Sequence, residues 1–145
     1  MTARINEETQ VGAVFAGKPK TLSYERLWAF SGGPFAPEGW PKKNLHTDPE
    51  TAGRVGLSRP IVSGTQFQGH IVELFMELFG PAWYASGSMD VRFVRGVGAG
   101  DTVTAMATVT GREEVNGGIR FDMDVSCVLG DNDPALVGTA TGVLA

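Results

Sequence analysis

The chain has 145 residues and a mass of 15.4 kDa, which is the size of one folded domain. Sixteen acidic and twelve basic residues give it a net charge of −4, which argues against a general nucleic-acid or anionic-membrane binder. A single cysteine, Cys127, excludes an internal disulfide and a zinc site built on several thiolates. The first ten residues lack the apolar run of a secretory signal, so we expect one cytoplasmic domain over residues 1–145.

The first half of the chain alternates short elements with loops. Residues 11–15 are a weak strand candidate, and a short helix fits residues 24–30 because Ser23 can cap its first turn. Residues 34–41 contain three prolines and one glycine, which excludes a regular helix or a central strand. A second short helix is predicted after Asp48, which can cap it, with proline at the favoured first position.

One long helix dominates the middle of the sequence. It is predicted to begin at Ser63 or Thr65, either of which can cap it, and to end at Phe79 before a Gly-Pro pair. Apolar residues recur along it at helical spacing, namely Phe67, Ile71, Leu74, Phe75 and Leu78. We therefore expect this helix to be covered on most sides.

Beyond the helix the apolar residues recur at every second position, which is typical of strands with one buried face. This alternation predicts strands near residues 89–97, 102–109, 119–127 and 136–144. Asn116-Gly117-Gly118 is a strong hairpin signal. The sequence thus predicts an α+β protein in which an antiparallel meander of about four strands packs against the long helix.

His46 is the first candidate for chemistry, because it lies in a loop between the proline-rich run and a helix start. A loop histidine that only hydrogen-bonds the backbone is the alternative. The second candidate is the segment that leads through Ser63 and Gly64 into the long helix. The free N–H groups of a helix start can bind a negative oxygen, and glycine permits close approach, but an ordinary helix cap is the alternative.

Basic residues form the third candidate. Arg92 and Arg95, followed by a glycine-rich run, could contact phosphate together with Arg59 and the pair Lys42-Lys43. A solvated strand face is the alternative. The glycine-rich run is not a dinucleotide fingerprint, because no helix follows it.

The remaining polar residues are expected to be structural. Glu113-Glu114 and the pair Asp122 and Asp124 fit a solvated strand face, and His70 fits a core or interface histidine within the long helix. Cys127 alternates with apolar residues and is expected to be a small buried hydrophobe.

In this order, the pieces resemble the MaoC-like dehydratases, a branch of the hot-dog fold that includes the (R)-specific enoyl-CoA hydratases. The resemblance covers residues 23–145 and rests on three blocks, which are Phe30-Ser31-Gly32 with Asn44-Leu45-His46-Thr47-Asp48, then Arg59-Pro60-Ile61-Val62-Ser63-Gly64, then Phe93-Val94-Arg95 with Gly100-Asp101-Thr102-Val103. It implies an antiparallel sheet wrapped around one long central helix, a homodimer or larger homo-oligomer, and no metal or redox cofactor.

The resemblance also implies a reaction, the hydration of a trans-2-enoyl thioester of coenzyme A or an acyl carrier, or the reverse dehydration. His46 matches the family's catalytic histidine, and Gly64 matches the residue whose N–H stabilises the thioester oxygen. The family's catalytic aspartate falls at Pro41, so Glu38 could replace that carboxylate, or Asn44 could orient the water. Ser63, where a histidine is common, joins Arg59, Arg92 and Arg95 as the expected substrate-binding residues.

Two other functions stay open. Because Pro41 replaces an acid, the chain could be a binding or partner subunit in a hetero-oligomer whose other half supplies the catalytic pair. Glu73 and Glu77 on the long helix leave room for a thioesterase, since hot-dog thioesterases usually place a carboxylate on or near that helix.

Overall fold

The structure, a computed structural model, describes residues 4–32 and 43–145. Glu38, Pro41 and Lys42 lie outside these residues. The elements follow in chain order as β1 (Val14–Ala16), β2 (Lys20–Thr21), α1 (Tyr24–Ser31), α2 (Pro49–Arg54), α3 (Gly64–Phe79), α4 (Trp83–Ser86), β3 (Ser88–Phe93), β4 (Thr102–Val115), β5 (Gly118–Leu129) and β6 (Asp133–Leu144).

The strands form one antiparallel sheet in the order β1-β4-β5-β6-β3, with β2 also paired to β4. β4, β5 and β6 are the predicted meander, and the predicted turn at Asn116 joins the first two. The prediction was wrong for β3, which pairs with β6 and places Phe93 opposite Leu136 rather than extending the meander through β4. Alternation identifies the buried face of a strand but not its partner.

The apolar face of α3 packs on β4, β5 and β6 as predicted. Its five apolar residues at helical spacing are each at most 4% exposed. Burial of such a side chain contributes roughly 1.5–3 kcal/mol, so this face is a main source of stability. Coverage is incomplete, because Thr65, Gly69 and Glu73 form an exposed stripe on the opposite side.

Two of the three predicted caps are confirmed. The side chain of Ser23 accepts a hydrogen bond from the backbone of α1, and that of Asp48 accepts one from α2. Ser63 precedes α3, but its hydroxyl does not cap the helix and lies 3.0 Å from the hydroxyl of Thr65. The first turn of α3 therefore keeps N–H groups that no side-chain cap takes up.

The edges of the sheet differ from the predicted bounds. β1 begins at Val14 rather than Val11, and β3 ends at Phe93 although the alternation continued to Val97. Val97 is buried although it lies outside the strand, and its carbonyl accepts a hydrogen bond from the N–H of Val62. β2 and α4 are too short to give a periodic signal. Within the described ranges, no helix combines the length and apolar character needed to cross a bilayer.

Candidate active site

A cavity of about 560 Å³ opens beside the N-terminus of α3. Its walls are His46, the residues that enter α3, and the chain after β3. Four of the predicted site residues meet there, namely His46, Ser63, Gly64 and Arg95. Much of the remaining lining is apolar, namely Ile61, Val62, Phe67, Phe93, Val94 and Val97. The cavity thus joins a titratable ring and a helix start to a surface suited to an acyl chain.

The ring of His46 is oriented by the backbone. Its Nδ1 lies 2.7 Å from the carbonyl oxygen of Ile61. A carbonyl only accepts hydrogen bonds, so Nδ1 carries the proton and donates it. In the neutral ring, Nε2 then holds a lone pair and can accept a proton. The backbone hydrogen bond anticipated for a loop histidine is present, and it fixes the tautomer that a general base needs.

Asn44 holds the loop that carries His46. Its Oδ1 accepts a hydrogen bond of 2.8 Å from the backbone N–H of His46, and its Nδ2 donates one of 2.8 Å to the carbonyl of Ser31. Its own N–H donates to the hydroxyl of Thr47, a fully buried residue, over 2.9 Å. Both ends of the Asn44 amide therefore have protein partners, and this side chain positions His46.

Asp48 is the acid nearest to His46 in the described sequence, two residues away. Its carboxylate accepts hydrogen bonds from the hydroxyl and the backbone N–H of Thr51, at 2.6 Å and 2.9 Å. These two bonds lower the pKa of Asp48 below its usual value. Asp48 thus stays ionised and caps α2, so its contacts give it a structural role.

The extended segment of residues 60–62, which precedes α3, is hydrogen-bonded to residues 97–99. The N–H of Val62 donates to the carbonyl of Val97 over 2.7 Å, and the N–H of Ala99 donates to the carbonyl of Pro60 over 3.0 Å. This pairing leads the chain into α3 at Gly64, which lines the cavity. The positive end of the helix dipole and the uncapped first turn make this position suited to an oxygen that gains negative charge.

The arginines expected to contact phosphate do not converge. Arg95 lines the cavity but forms an ion pair with Asp133. Arg59 donates to Asp101 and to the carbonyl of Ala99, each over 2.8 Å, and braces the turn before β4. Arg92 borders a different depression of about 410 Å³ between β3 and β6.

The acids of α3 lie away from the His46 cavity. Glu73 forms an ion pair with Lys20, and both residues border a crevice of about 10 Å³ that also includes Glu77 and His70. Burial, followed by the nearby charge of Lys20, lowers the pKa of His70. A space of this size holds about one water molecule. It cannot receive an acyl thioester, which argues against a thioesterase site at these glutamates.

Phe93 also lines the cavity, although the sequence predicted it only as a strand residue that begins the third block of the family resemblance and not as a site residue. A Cβ added to Gly64 would lie 2.8 Å from the ring of Phe93, so the ring rests against the first residue of α3. The same ring meets Phe67 edge-on, with centroids 5.4 Å apart and planes at 82°. In the sequence, Phe93 is an aromatic residue at the end of a predicted strand. Its contact with the start of α3 could be recognised only once the fold was known.

The chain matches one family model, described as MaoC like domain, over residues 42–128. No curated protein matches it. Among the described residues, no group of three His, Cys, Asp or Glu side chains is arranged to hold a metal ion.

Several solved structures share the fold. The (R)-hydratase from A. caviae involved in PHA biosynthesis is 22% identical, with a TM-score of 0.73 over 97% of this chain and 100% of that chain. An R-hydratase from Pseudomonas aeruginosa is 20% identical, with a TM-score of 0.72 over 95% of this chain and 83% of that chain. A chain of the ChsH1-ChsH2 complex from Mycobacterium tuberculosis is 20% identical, with a TM-score of 0.71 over 94% and 99% of the two chains. The expected α+β hot-dog fold is thereby confirmed.

Proposed function

The chain belongs to the MaoC-like domain family, and we propose that it is a hydratase or dehydratase acting on 2-enoyl and 3-hydroxyacyl thioesters. The observation that carries this proposal is the meeting of His46, with its Nδ1 held by Ile61, and the start of α3 at Gly64 in one largely apolar cavity. Two of the solved structures that share the fold are (R)-hydratases, which supports the same chemistry.

The reaction uses His46 as the acid/base group. Nε2 takes a proton from a water molecule while the water oxygen forms a bond to C3 of the enoyl group. The π electrons of the C2–C3 bond move toward the thioester oxygen, which the N–H of Gly64 stabilises. The imidazolium then passes this proton to a second acid/base group, which delivers it to C2, so that one water is added overall. A single such oxyanion donor is worth about 10²–10³ in rate.

A second acid/base group is proposed from the segment of residues 33–42. Asn44 and Ser31 lie on either side of that segment, and the Nδ2 of Asn44 donates a hydrogen bond of 2.8 Å to the carbonyl oxygen of Ser31. Glu38 is the acid of this segment, and we assign it the role that Pro41 cannot perform. Such a group contributes about 10²–10⁴ in rate.

The thioester carrier is proposed to be coenzyme A or an acyl carrier protein. Arg95 is the basic residue at the mouth of the cavity that best fits a carrier phosphate, which would take the place of Asp133. We assign the Ser63 hydroxyl, which lines the cavity and lies 3.0 Å from the hydroxyl of Thr65, as a further donor to the substrate. Arg59 and Arg92 would contact only parts of the carrier outside this cavity.

A homodimer is proposed through β3. This strand lies at one end of the sheet, where its outer edge is available to pair with another strand. Met89 and Val91 on β3, with Val72 and Met76 on α3, supply partly buried apolar surface packed against the core. Sedimentation of a monomer at micromolar concentration would contradict this assembly.

The alternative is a partner subunit, favoured by proline at the family's aspartate position. A chain of the ChsH1-ChsH2 complex shares the fold, which is consistent with such an assembly. In this case the purified chain would bind an acyl thioester without turning it over, and addition of a second hot-dog subunit with an intact aspartate–histidine pair would restore turnover.

The test is loss of enoyl-thioester absorbance with a panel of trans-2-enoyl-CoA substrates. His46→Asn keeps an amide donor for the Ile61 carbonyl but removes Nε2, so turnover should fall by about 10²-fold or more. His70→Asn is the matched control, because His70 lies outside the cavity and should keep normal turnover. Full activity of His46→Asn would remove His46 from the mechanism. Binding without turnover by the wild-type chain would favour the partner subunit.

A further inference from the structure

The ring of Phe93 covers the first turn of α3, beside the proposed oxyanion donor. It lies so close to Gly64 that a Cβ there would be 2.8 Å from two ring atoms. It also reaches Phe67, three residues farther along α3, in an edge-on contact. The ring therefore leaves no room for a methyl group between itself and the helix start.

This position places the ring in the path of an acyl chain. When the thioester oxygen accepts the N–H of Gly64, a chain that continues along α3 toward Phe67 meets the Phe93 ring within the first turn. The apolar walls here favour burial of each methylene that fits between them. A chain that cannot pass the ring leaves its distal methylenes in water.

The backbone of Phe93 is held by the sheet, whereas its side chain lies outside the core and can be substituted. Phe93 is the last residue of β3 and pairs with the fully buried Leu136, and the next N–H, that of Val94, donates to Ala135 over 2.9 Å. The side chain is 48% exposed, so the ring belongs to the cavity wall rather than to the centre of the core. Its truncation should therefore reshape the cavity without unfolding the protein.

We propose that Phe93 is a specificity-determining residue that restricts the site to short acyl chains. This inference rests on the proposed function, because it takes the cavity to be an acyl-thioester site. With alanine at position 93, the first turn of α3 and the edge of Phe67 become accessible, and the preference shifts toward longer chains. With leucine, which is smaller than phenylalanine but still apolar, the shift is intermediate.

The test measures binding of butyryl-CoA and decanoyl-CoA by titration calorimetry, since these saturated thioesters bind without being hydrated. Phe93→Ala should raise the affinity for decanoyl-CoA relative to butyryl-CoA by at least about tenfold, because each misfit methylene is worth 10-fold or more in a pocket of this kind. Tyr84→Ala is the control, since Tyr84 is 70% exposed on α4 and does not line the cavity. Thermal melting of each variant confirms that it is folded.

The outcomes separate this inference from the proposed function. An unchanged ratio in folded Phe93→Ala would overturn the role of Phe93 even if the enzyme hydrates enoyl-CoA. A shifted ratio in a chain without turnover would support the role of Phe93 and contradict the hydratase. Absence of binding of both thioesters to the wild-type chain would overturn both.

Discussion

Substitution of Asn44 tests whether this residue positions His46 or touches the water. Asn44→Ala removes two hydrogen bonds of 2.8 Å, one to the N–H of His46 and one to the carbonyl of Ser31. At about 1 kcal/mol each, the loss is about 2 kcal/mol in the free energy of unfolding. For a chain of 145 residues this lowers the melting temperature by about 4–8 °C. A loosened His46 should lower kcat by about 10²-fold or less, with KM unchanged.

Asn44→Asp distinguishes the effects of the two hydrogen bonds, because it removes only one of them. It keeps an oxygen acceptor for the N–H of His46 but loses the donor to Ser31 and turns a carboxylate toward that carbonyl. We therefore expect kcat to recover relative to Asn44→Ala while the melting temperature stays low. The assay is steady-state hydration of an enoyl-CoA, combined with calorimetric melting. Normal kcat in Asn44→Ala would refute the positioning role, and a loss as large as that of His46→Asn without any change in melting would assign Asn44 to the water instead.

Three further predictions concern stability and reactivity. Gly138→Ala should lower the free energy of unfolding by about 1–3 kcal/mol, because the added Cβ would lie 2.1 Å from the backbone oxygen of Asp90 on β3. Gly69→Ala is the control, because a Cβ at this position on α3 would meet nothing within 4 Å; urea unfolding should show it to be neutral or stabilising. Cys127 should resist thiol reagents at pH 8 until the chain unfolds, because burial raises its pKa to about 12; rapid labelling of the native protein would contradict this. His70 has a lowered pKa, so the unfolded state binds its proton first and stability should fall as the pH drops below about 6.5. The charged groups near His70 are Arg26, Lys20, Lys18, Glu73 and Glu77. In His70→Gln, the urea concentration at the unfolding midpoint should therefore depend less on pH between pH 7.5 and 5.5.

The long elements could be predicted because their signals are local. The spacing of Phe67, Ile71 and Leu78 identified both α3 and its buried face, and alternation identified the inner faces of β4 and β5. The position of β3 could not be predicted in the same way, because an alternating strand fits equally well beside β4 or β6. In the structure, the chain between β3 and β4 is hydrogen-bonded to the segment before α3, and β3 lies at the far end of the sheet beside β6.

The candidate site was predictable only in part for a related reason. His46 was identified by its place in a loop before a helix, and Gly64 by its place at the start of the long helix. The fold brings both residues to one cavity. Arg59 and Arg95 also had a local signal, but their partners, Asp101 and Asp133, lie 42 and 38 residues away in the sequence. The positions of charged residues along the chain do not reveal which acid pairs with a given arginine. The sequence therefore predicted a common phosphate site for arginines that the structure places apart, two of them in ion pairs.

The same hydrogen bonds that hold the His46 loop also connect it to the start of α3. One backbone carbonyl, that of Ile61, accepts from the His46 ring, while the N–H of Ile61 donates to the carbonyl of Leu45 over 3.3 Å. The histidine loop is thus paired with the strand-like segment that enters α3, whose other side is paired with residues 97–99. These hydrogen bonds tie the His46 ring and the start of α3 to the same segment, so a displacement of this segment would move both of them. In the proposed reaction, the second acid has only to reach this pair, so either Glu38 or a residue of a second subunit could supply it while the rest of the site stays the same.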